Sequence, residues 1–214
     1  FKKNIKNKLK IFKKANKKKH QKMKEIFFDY INNFLNFSEE EQDYYWEFCE
    51  IKRFKKNEII TTEGAIENYM YYNVNGLFRM FFEHEGEEIT TLFLHENQFV
   101  SVFDSFLTGN ISKYNLQAIT NTDVVAIKRE LIYLLYELYP KAEKVGRLSA
   151  EFYYLELSKH LYNSLILNAT DRYNDFVKNN HELAKVLPIK CISSYLGIHP
   201  NSLSRIRAKL KPKN

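Results

Sequence analysis

Asn201, Ser202, Arg205 and Lys209 recur at the spacing that sets side chains along one face of a helix. Arg207 falls to one side of that face, and Lys190 lies one predicted helix earlier. Asn and Arg near a helix start can reach adenine and guanine edges in a major groove through paired hydrogen bonds. Ser202, Lys190 and Lys209 suit phosphate, which positions a protein without reading sequence. A solvated polar helix with no such role would carry the same residue types, so the set depends on its surroundings. Elsewhere reactive side chains are sparse. No nucleophile–base motif and no phosphate-cradling glycine loop occurs. The six histidines, His20, His84, His95, His160, His181 and His199, show no close metal-ligand spacing. Two cysteines, Cys49 and Cys191, fall short of the roughly four that an iron–sulfur cluster needs. No enzyme activity, catalytic residue, metal or cofactor is expected.

The elements that must hold this polar face are legible in the flanking residues. Pro188 is placed to open a helix over Ile189–Leu196. Gly197 is placed to end it, since a tight turn needs the left-handed backbone that glycine adopts freely. Ile198 follows, and His199-Pro200-Asn201-Ser202 starts a second helix reaching about Leu210. Two helices crossing at a wide angle need a small residue where they touch and apolar residues on their inner faces. Ser193 is that small residue, and Ile189, Ile192, Leu196, Ile198, Leu203 and Ile206 form the inner face. The pattern predicts a helix-turn-helix between about Ile189 and Leu210.

Between Ile51 and Ile127 the period shortens. Runs rich in Ile, Val, Thr, Phe and Tyr (Glu58–Thr62, Tyr69–Val74, Leu77–Glu83, Glu88–Leu94) alternate with turn signals at Gly64, Asn75-Gly76 and Glu85-Gly86. Asn-Gly between two apolar runs predicts a β-hairpin, and the strand spacing predicts a sandwich, roll or small barrel. A short helix is expected over Ile26–Phe37, and a second from the N-cap Ser38 to about Cys49. After Ile127 the pattern is helical: Arg129–Leu138, then a long helix opened by Pro140 and running to about Leu167. Val145, Leu148, Phe152, Leu155, Tyr162 and Ile166 give it a near-heptad stripe. That stripe either seals a dimer, the favoured reading, or packs on its own domain.

Charge divides the chain. Residues 1–22 hold eleven lysines and no acid, residues 23–140 sum to −11, and residues 141–214 to +7. An acidic middle joined to a basic last third points to two modules, of which the second is suited to a polyanion. Residues 1–22 precede the first methionine, Met23, and read as a disordered tail or as translated upstream sequence. The alternative is a basic amphipathic arm with Ile5, Leu9 and Phe12 on one face. An apolar fraction of 44% supports an ordinary core. No stretch of about 18 or more residues is free of charge, so no transmembrane helix is expected. With no apolar leader and two distant cysteines that suit a reducing compartment, a cytoplasmic location is expected.

Together the two halves resemble the Crp/Fnr family of bacterial transcription regulators, from Met23 to Leu210. The resemblance is carried by Gly64, Asn75-Gly76-Leu77, the turn at Gly86 and Phe99 through Ile127, then by Tyr195-Leu196-Gly197-Ile198 and Leu203-Ser204-Arg205-Ile206-Arg207. The last wording is most similar to the branch common in the Bacteroidetes. The resemblance implies an α+β chain. A β-roll sensor of the cyclic-nucleotide-binding type would cover residues 23–138, a dimerisation helix 139–168, and a winged-helix type of helix-turn-helix domain 169–214. The wing is either missing or placed earlier. The partners implied are double-stranded DNA, a second copy of the chain, RNA polymerase and an unidentified small-molecule effector, with no membrane.

The ligand cassette departs from the family. Cyclic-AMP binders present Gly-Glu, whose carboxylate holds the ribose hydroxyl, and Arg-Ser, whose guanidinium holds the cyclic phosphate. Ser101-Val102 and Ser112-Lys113 stand in those places. Valine accepts no hydrogen bond, and lysine offers charge without a bidentate fork. Control by cyclic AMP is therefore not expected, and these four residues would line the pocket of any other effector. Two other function classes compete. A cupin-type metal enzyme would need two or three His and a Glu on facing strands, for which His84 and His95 are too few. A protein-interaction module would need no DNA at all.

Overall fold

The computed structural model describes residue 18 and residues 20–210. Helix α1 covers residues 20–32, earlier than the expected Ile26–Phe37. Asn32 marks its end, the side-chain Oδ1 accepting from the Phe37 amide at 3.3 Å. Leu35 and Phe37 stay buried beyond it, in non-helical backbone. Part of the basic stretch expected as a tail is therefore structured: residues 18 and 20–22 are helical, and His20 Nδ1 accepts from the Trp46 indole at 3.1 Å. The rest of that stretch, with Ile5, Leu9 and Phe12, lies outside the described residues. Helix α2, Glu39–Trp46, starts in a capping box. The Ser38 hydroxyl accepts from the Glu41 amide and the Glu41 carboxylate from the Ser38 amide, satisfying two otherwise orphaned donors. It ends before Cys49, which opens a strand.

Eight strands follow: β1 Cys49–Phe54, β2 Ile59–Thr61, β3 Tyr69–Asn75, β4 Phe78–His84, β5 Glu87–Leu94, β6 Gln98–Val100, β7 Asn115–Ala118 and β8 Thr122–Lys128, with helix α3, Phe103–Thr108, between β6 and β7. They form two antiparallel four-stranded sheets, ordered β1-β8-β3-β6 and β2-β7-β4-β5. The pairings are long-range, with Cys49 opposite Ile127 and Ile59 opposite Gln117. Alternation sorts the side chains of the first sheet. Tyr71, Val124 and Ala126 face the second sheet, where Phe78, Leu92, Leu94 and Leu116 complete a core. Tyr72, Val125 and Ile127 face outward into a second core with Met23, Phe27 and Ile31 of α1. Cover on both faces explains why β8 reads as a continuous apolar run rather than an alternating one.

Glu85-Gly86 closes a tight hairpin between β4 and β5, with His84 opposite Glu87. Asn75-Gly76 does not make the expected hairpin, because β3 and β4 lie in different sheets. The turn hands the chain across the sandwich. A β-carbon on Gly76, whose φ is +93°, would sit 2.7 Å from the hydroxyls of Thr120 and Thr122. Asn-Gly reports a backbone that needs positive φ; it does not report which strands pair.

Helix α4, Arg129–Leu138, and a 3-10 turn at Pro140–Ala142 lead into the long α5, Glu143–Ile166. Then come α6 Ala169–Asn179, α7 His181–Val186, α8 Ile189–Leu196 and α9 Pro200–Leu210. No strand follows β8 among the described residues, so the wing of the implied winged helix is absent from them.

Candidate nucleic-acid interface

Pro188 precedes α8 with extended backbone, and Gly197 ends it at φ +60° and ψ +40°. The left-handed turn lets the Ile198 amide donate back to the Ser193 carbonyl at 2.9 Å, which closes the end of the helix. Ile192, Ser193, Leu196, Ile198 and Leu203 are buried, and Ile189 and Ile206 pack partly buried beside them. His199 adds a contact that the sequence did not signal: its Nδ1 accepts from the Asn201 amide at 3.2 Å, serving a free donor at the start of α9.

Asn201, Ser202, Arg205 and Lys209 are all exposed along α9. Their side chains make no hydrogen bond or ion pair with another described residue. The other two candidates stand apart. Arg207 is half-buried and donates to the Ala184 carbonyl of α7 at 3.3 Å. Lys190 is exposed at the start of α8 and pairs with Glu87 of β5 at 3.1 Å. Arg172 of α6, also unanticipated, donates to the carbonyls of Leu167 at 2.7 Å and Gly197 at 3.3 Å, tying the end of α5 to the turn.

The helix pair rests on the β-roll. The Ser194 hydroxyl accepts from the Thr90 amide at 3.2 Å and lies 3.0 Å from the Thr90 hydroxyl. Arg79, almost fully buried on β4, bonds Glu88 at 2.7 Å and Gln117 at 2.8 Å, and reaches the Cys191 sulfur at 3.3 Å. Burial pushes the Cys191 thiol up, against the opposing pull of the Arg79 charge. Cys191 and Cys49 are both free. Phe93 of β5 packs on Tyr195 with ring centres 5.1 Å apart.

The residues in the place of the ligand cassette are turned inward on the protein itself. The Ser101 hydroxyl donates to the Tyr69 carbonyl at 3.0 Å, and its amide donates to the Tyr153 hydroxyl of α5 at 3.1 Å. Val102 is fully buried. The Ser112 hydroxyl, also buried, donates to the Tyr114 carbonyl at 2.6 Å. Lys113 is exposed, with no hydrogen bond or ion pair to another described residue. Glu67, a buried acid that the sequence did not single out, accepts from the Thr61 hydroxyl and from the Tyr69 amide at 2.9 Å, and desolvation pushes its carboxyl up. Among the described residues no group of three or more His, Cys, Asp or Glu is placed to hold a metal ion.

Along α5 the expected stripe splits. Ser149 and Tyr153 are the buried positions, while Leu155, Tyr162 and Ile166 are more than 60% exposed, together with Tyr154, Leu161 and Leu165 at 59% or more. No helix of the described chain is long and apolar enough to cross a membrane.

Comparison with known proteins shows what these features resemble. Residues 51–139 match the cyclic nucleotide-binding domain. No curated protein sequence matches the chain. Solved structures do. A protein described as a Crp/Fnr-family transcriptional regulator from Eubacterium rectale shares 16% identity over 86% of this chain and 88% of its own, with a TM-score of 0.69. FixK2 from Bradyrhizobium japonicum shares 18% over 76% and 84%, with a TM-score of 0.66. CLP from Xanthomonas campestris, described as a c-di-GMP-responsive global regulator, shares 17% over 77% and 87%, with a TM-score of 0.62. Identities this low speak for a common fold. The chain thus carries a cyclic nucleotide-binding-type domain at residues 51–139 within the architecture of the Crp/Fnr transcription regulators.

Proposed function

We propose that the chain is a sequence-specific DNA-binding transcription regulator that acts as a homodimer. The observation that carries this reading is the α8–turn–α9 pair, whose apolar inner face is buried while Asn201, Ser202, Arg205 and Lys209 stand exposed in one row. Asn201 and Arg205 would read base edges, and Ser202 and Lys209 would meet phosphate. Lys190 would exchange its exposed pairing with Glu87 for phosphate at little cost, since such surface pairs contribute about 0–1 kcal/mol. Arg207, bound to Ala184, would chiefly hold α9 in place.

Residues 139–168 form the dimer seam in this reading, supported by the exposed apolar side chains of α5. Residues 23–138 form the sensor and 169–214 the reading module. Two reading helices would enter successive major grooves of a near-palindromic site, with half-sites about 10 bp apart. RNA polymerase and a small-molecule effector are the further partners of a regulator of this kind. The sensor would not answer to cyclic AMP, because the serines of its cassette are engaged internally and no arginine stands beside Ser112. Titration calorimetry with cyclic AMP at about 1 mM should show no saturable heat.

The decisive experiment selects genomic DNA fragments with the purified protein. Enrichment of one palindromic motif is expected. Arg205→Ala should then weaken binding to that motif by about 1–3 kcal/mol with the fold intact. Failure to enrich any motif would favour a protein-interaction module.

A further inference from the structure

A cavity remote from the cassette lies where the β-roll, α5 and the helices α6 and α8 meet. It has a volume of about 300 Å³, within the range of small-molecule sites. Phe93, Phe152 and Tyr195 give it aromatic walls, and four ionic side chains line it: Glu156 and Lys159 of α5, and Arg172 and Asp175 of α6. Their charges cancel, and burial holds the two lining histidines, His95 and His160, below their ordinary range and so neutral near pH 7.

The groups differ in what they already hold. Asp175 accepts from Asn163 at 3.1 Å and from Asn179 at 3.0 Å. The terminal nitrogens of Arg172 are engaged by carbonyls and its Nε is buried, so this cation is already committed to the protein. Glu156 and Lys159 make no hydrogen bond or ion pair with another described residue. Two carboxylates in the wall disfavour a phosphate dianion, whereas the unpaired acid Glu156 beside the unpaired base Lys159 matches a molecule of both signs.

We infer that this cavity binds a free α-amino acid. Its carboxylate meets Lys159, its ammonium meets Glu156, and its side chain lies against Tyr195 and Phe93. The walls come from the sensor (Phe93, His95, Gln98), the long helix and α8 (Tyr195, Leu196), so an occupant touches all three at once.

The test titrates the purified full chain, without DNA, with each of the twenty amino acids, read by calorimetry and thermal shift. At least one should bind saturably, one per chain, with Kd of about 10 mM or tighter. Glu156→Gln and Lys159→Met should each weaken it at least about tenfold, and neither should move the melting temperature of the empty protein appreciably, since neither side chain has a partner to lose. Absence of saturable binding by all twenty overturns the inference, as does binding that both variants leave unchanged. So does a site that takes inorganic phosphate or cyclic AMP in their place. Because no DNA is present, these outcomes are independent of whether the chain reads DNA.

Discussion

Removing one oxygen atom tests how the long helix is fastened to the β-roll. The hydroxyl of Tyr153 is buried against β6, accepting from the Ser101 amide at 3.1 Å and placed 3.2 Å from the Ser101 carbonyl and 3.4 Å from that of Phe99. Ser101 is itself fully buried, so no water replaces the lost partner. The ring stacks on Phe103 at 4.7 Å and 8°, a contact that phenylalanine keeps. Tyr153→Phe therefore isolates the hydrogen bonds. Leaving a buried amide unpaired costs about 1–3 kcal/mol, and for a chain of this size each kcal/mol lowers the melting temperature by roughly 2–4 °C. Urea unfolding should show the midpoint falling with an unchanged slope, the mark of altered stability rather than altered compactness. Amide hydrogen exchange at Ser101 should quicken in parallel. An unchanged midpoint and unchanged Ser101 protection would refute the reasoning, and Tyr153→Leu, which also loses the stack, should cost more.

The remaining predictions concern assembly and pH. Leu161→Glu with Leu165→Glu places charges on side chains already 59% and 73% exposed, so the single chain should fold normally. On the proposed reading, light scattering should report a dimer for the unaltered protein and a monomer for this variant; a variant that stays dimeric would move the seam elsewhere. His95 and His160 are pushed below their ordinary value of 6.5 by burial. The unfolded chain therefore takes up protons before the folded one, and the stability tied to their neutrality is present above pH 6.5 and lost as pH falls through the depressed values. Melting temperature should drop on acidification below that point, and His95→Gln with His160→Gln should flatten the drop. Glu67 works in the opposite sense, since its carboxyl is raised, but its window opens only above the ordinary 4.5.

Local chemistry was well written in the sequence, and pairing over distance was not. The Ser38–Glu41 box, the Gly197 turn and the bounds of α4 follow from residues within one or two helical turns of each other. Asn75-Gly76 announced its backbone but not that β3 and β4 part company, because sheet membership is decided by β8 and β7, far along the chain. Tyr153 lay off the apolar stripe of α5, which carries apolar side chains on more than one face. Periodicity alone could not separate the face held by the β-roll from the face left bare. The row on α9 was legible because a helix fixes its own exposed side. The engagement of Arg207 and Lys190 was not, since α7 and β5 supply their partners.

Strand order also governs when each half becomes foldable during synthesis. Among the described residues β1 pairs only with β8 and β2 only with β7, so neither ladder can start until nearly all of the segment from Cys49 to Lys128 exists. At translation speeds of about 5–20 residues per second, Cys49 precedes Ile127 by on the order of ten seconds. During that interval the apolar faces of β3, β4 and β5 are without their cover. The helices after β8 pack on one another and on strands already made, α8 on β5 above all, so they wait for no later segment. The vulnerable period of this chain therefore belongs to its first half, and slow translation or a destabilising change at Gly76 should show itself as aggregation of nascent protein before any effect on the helices that follow.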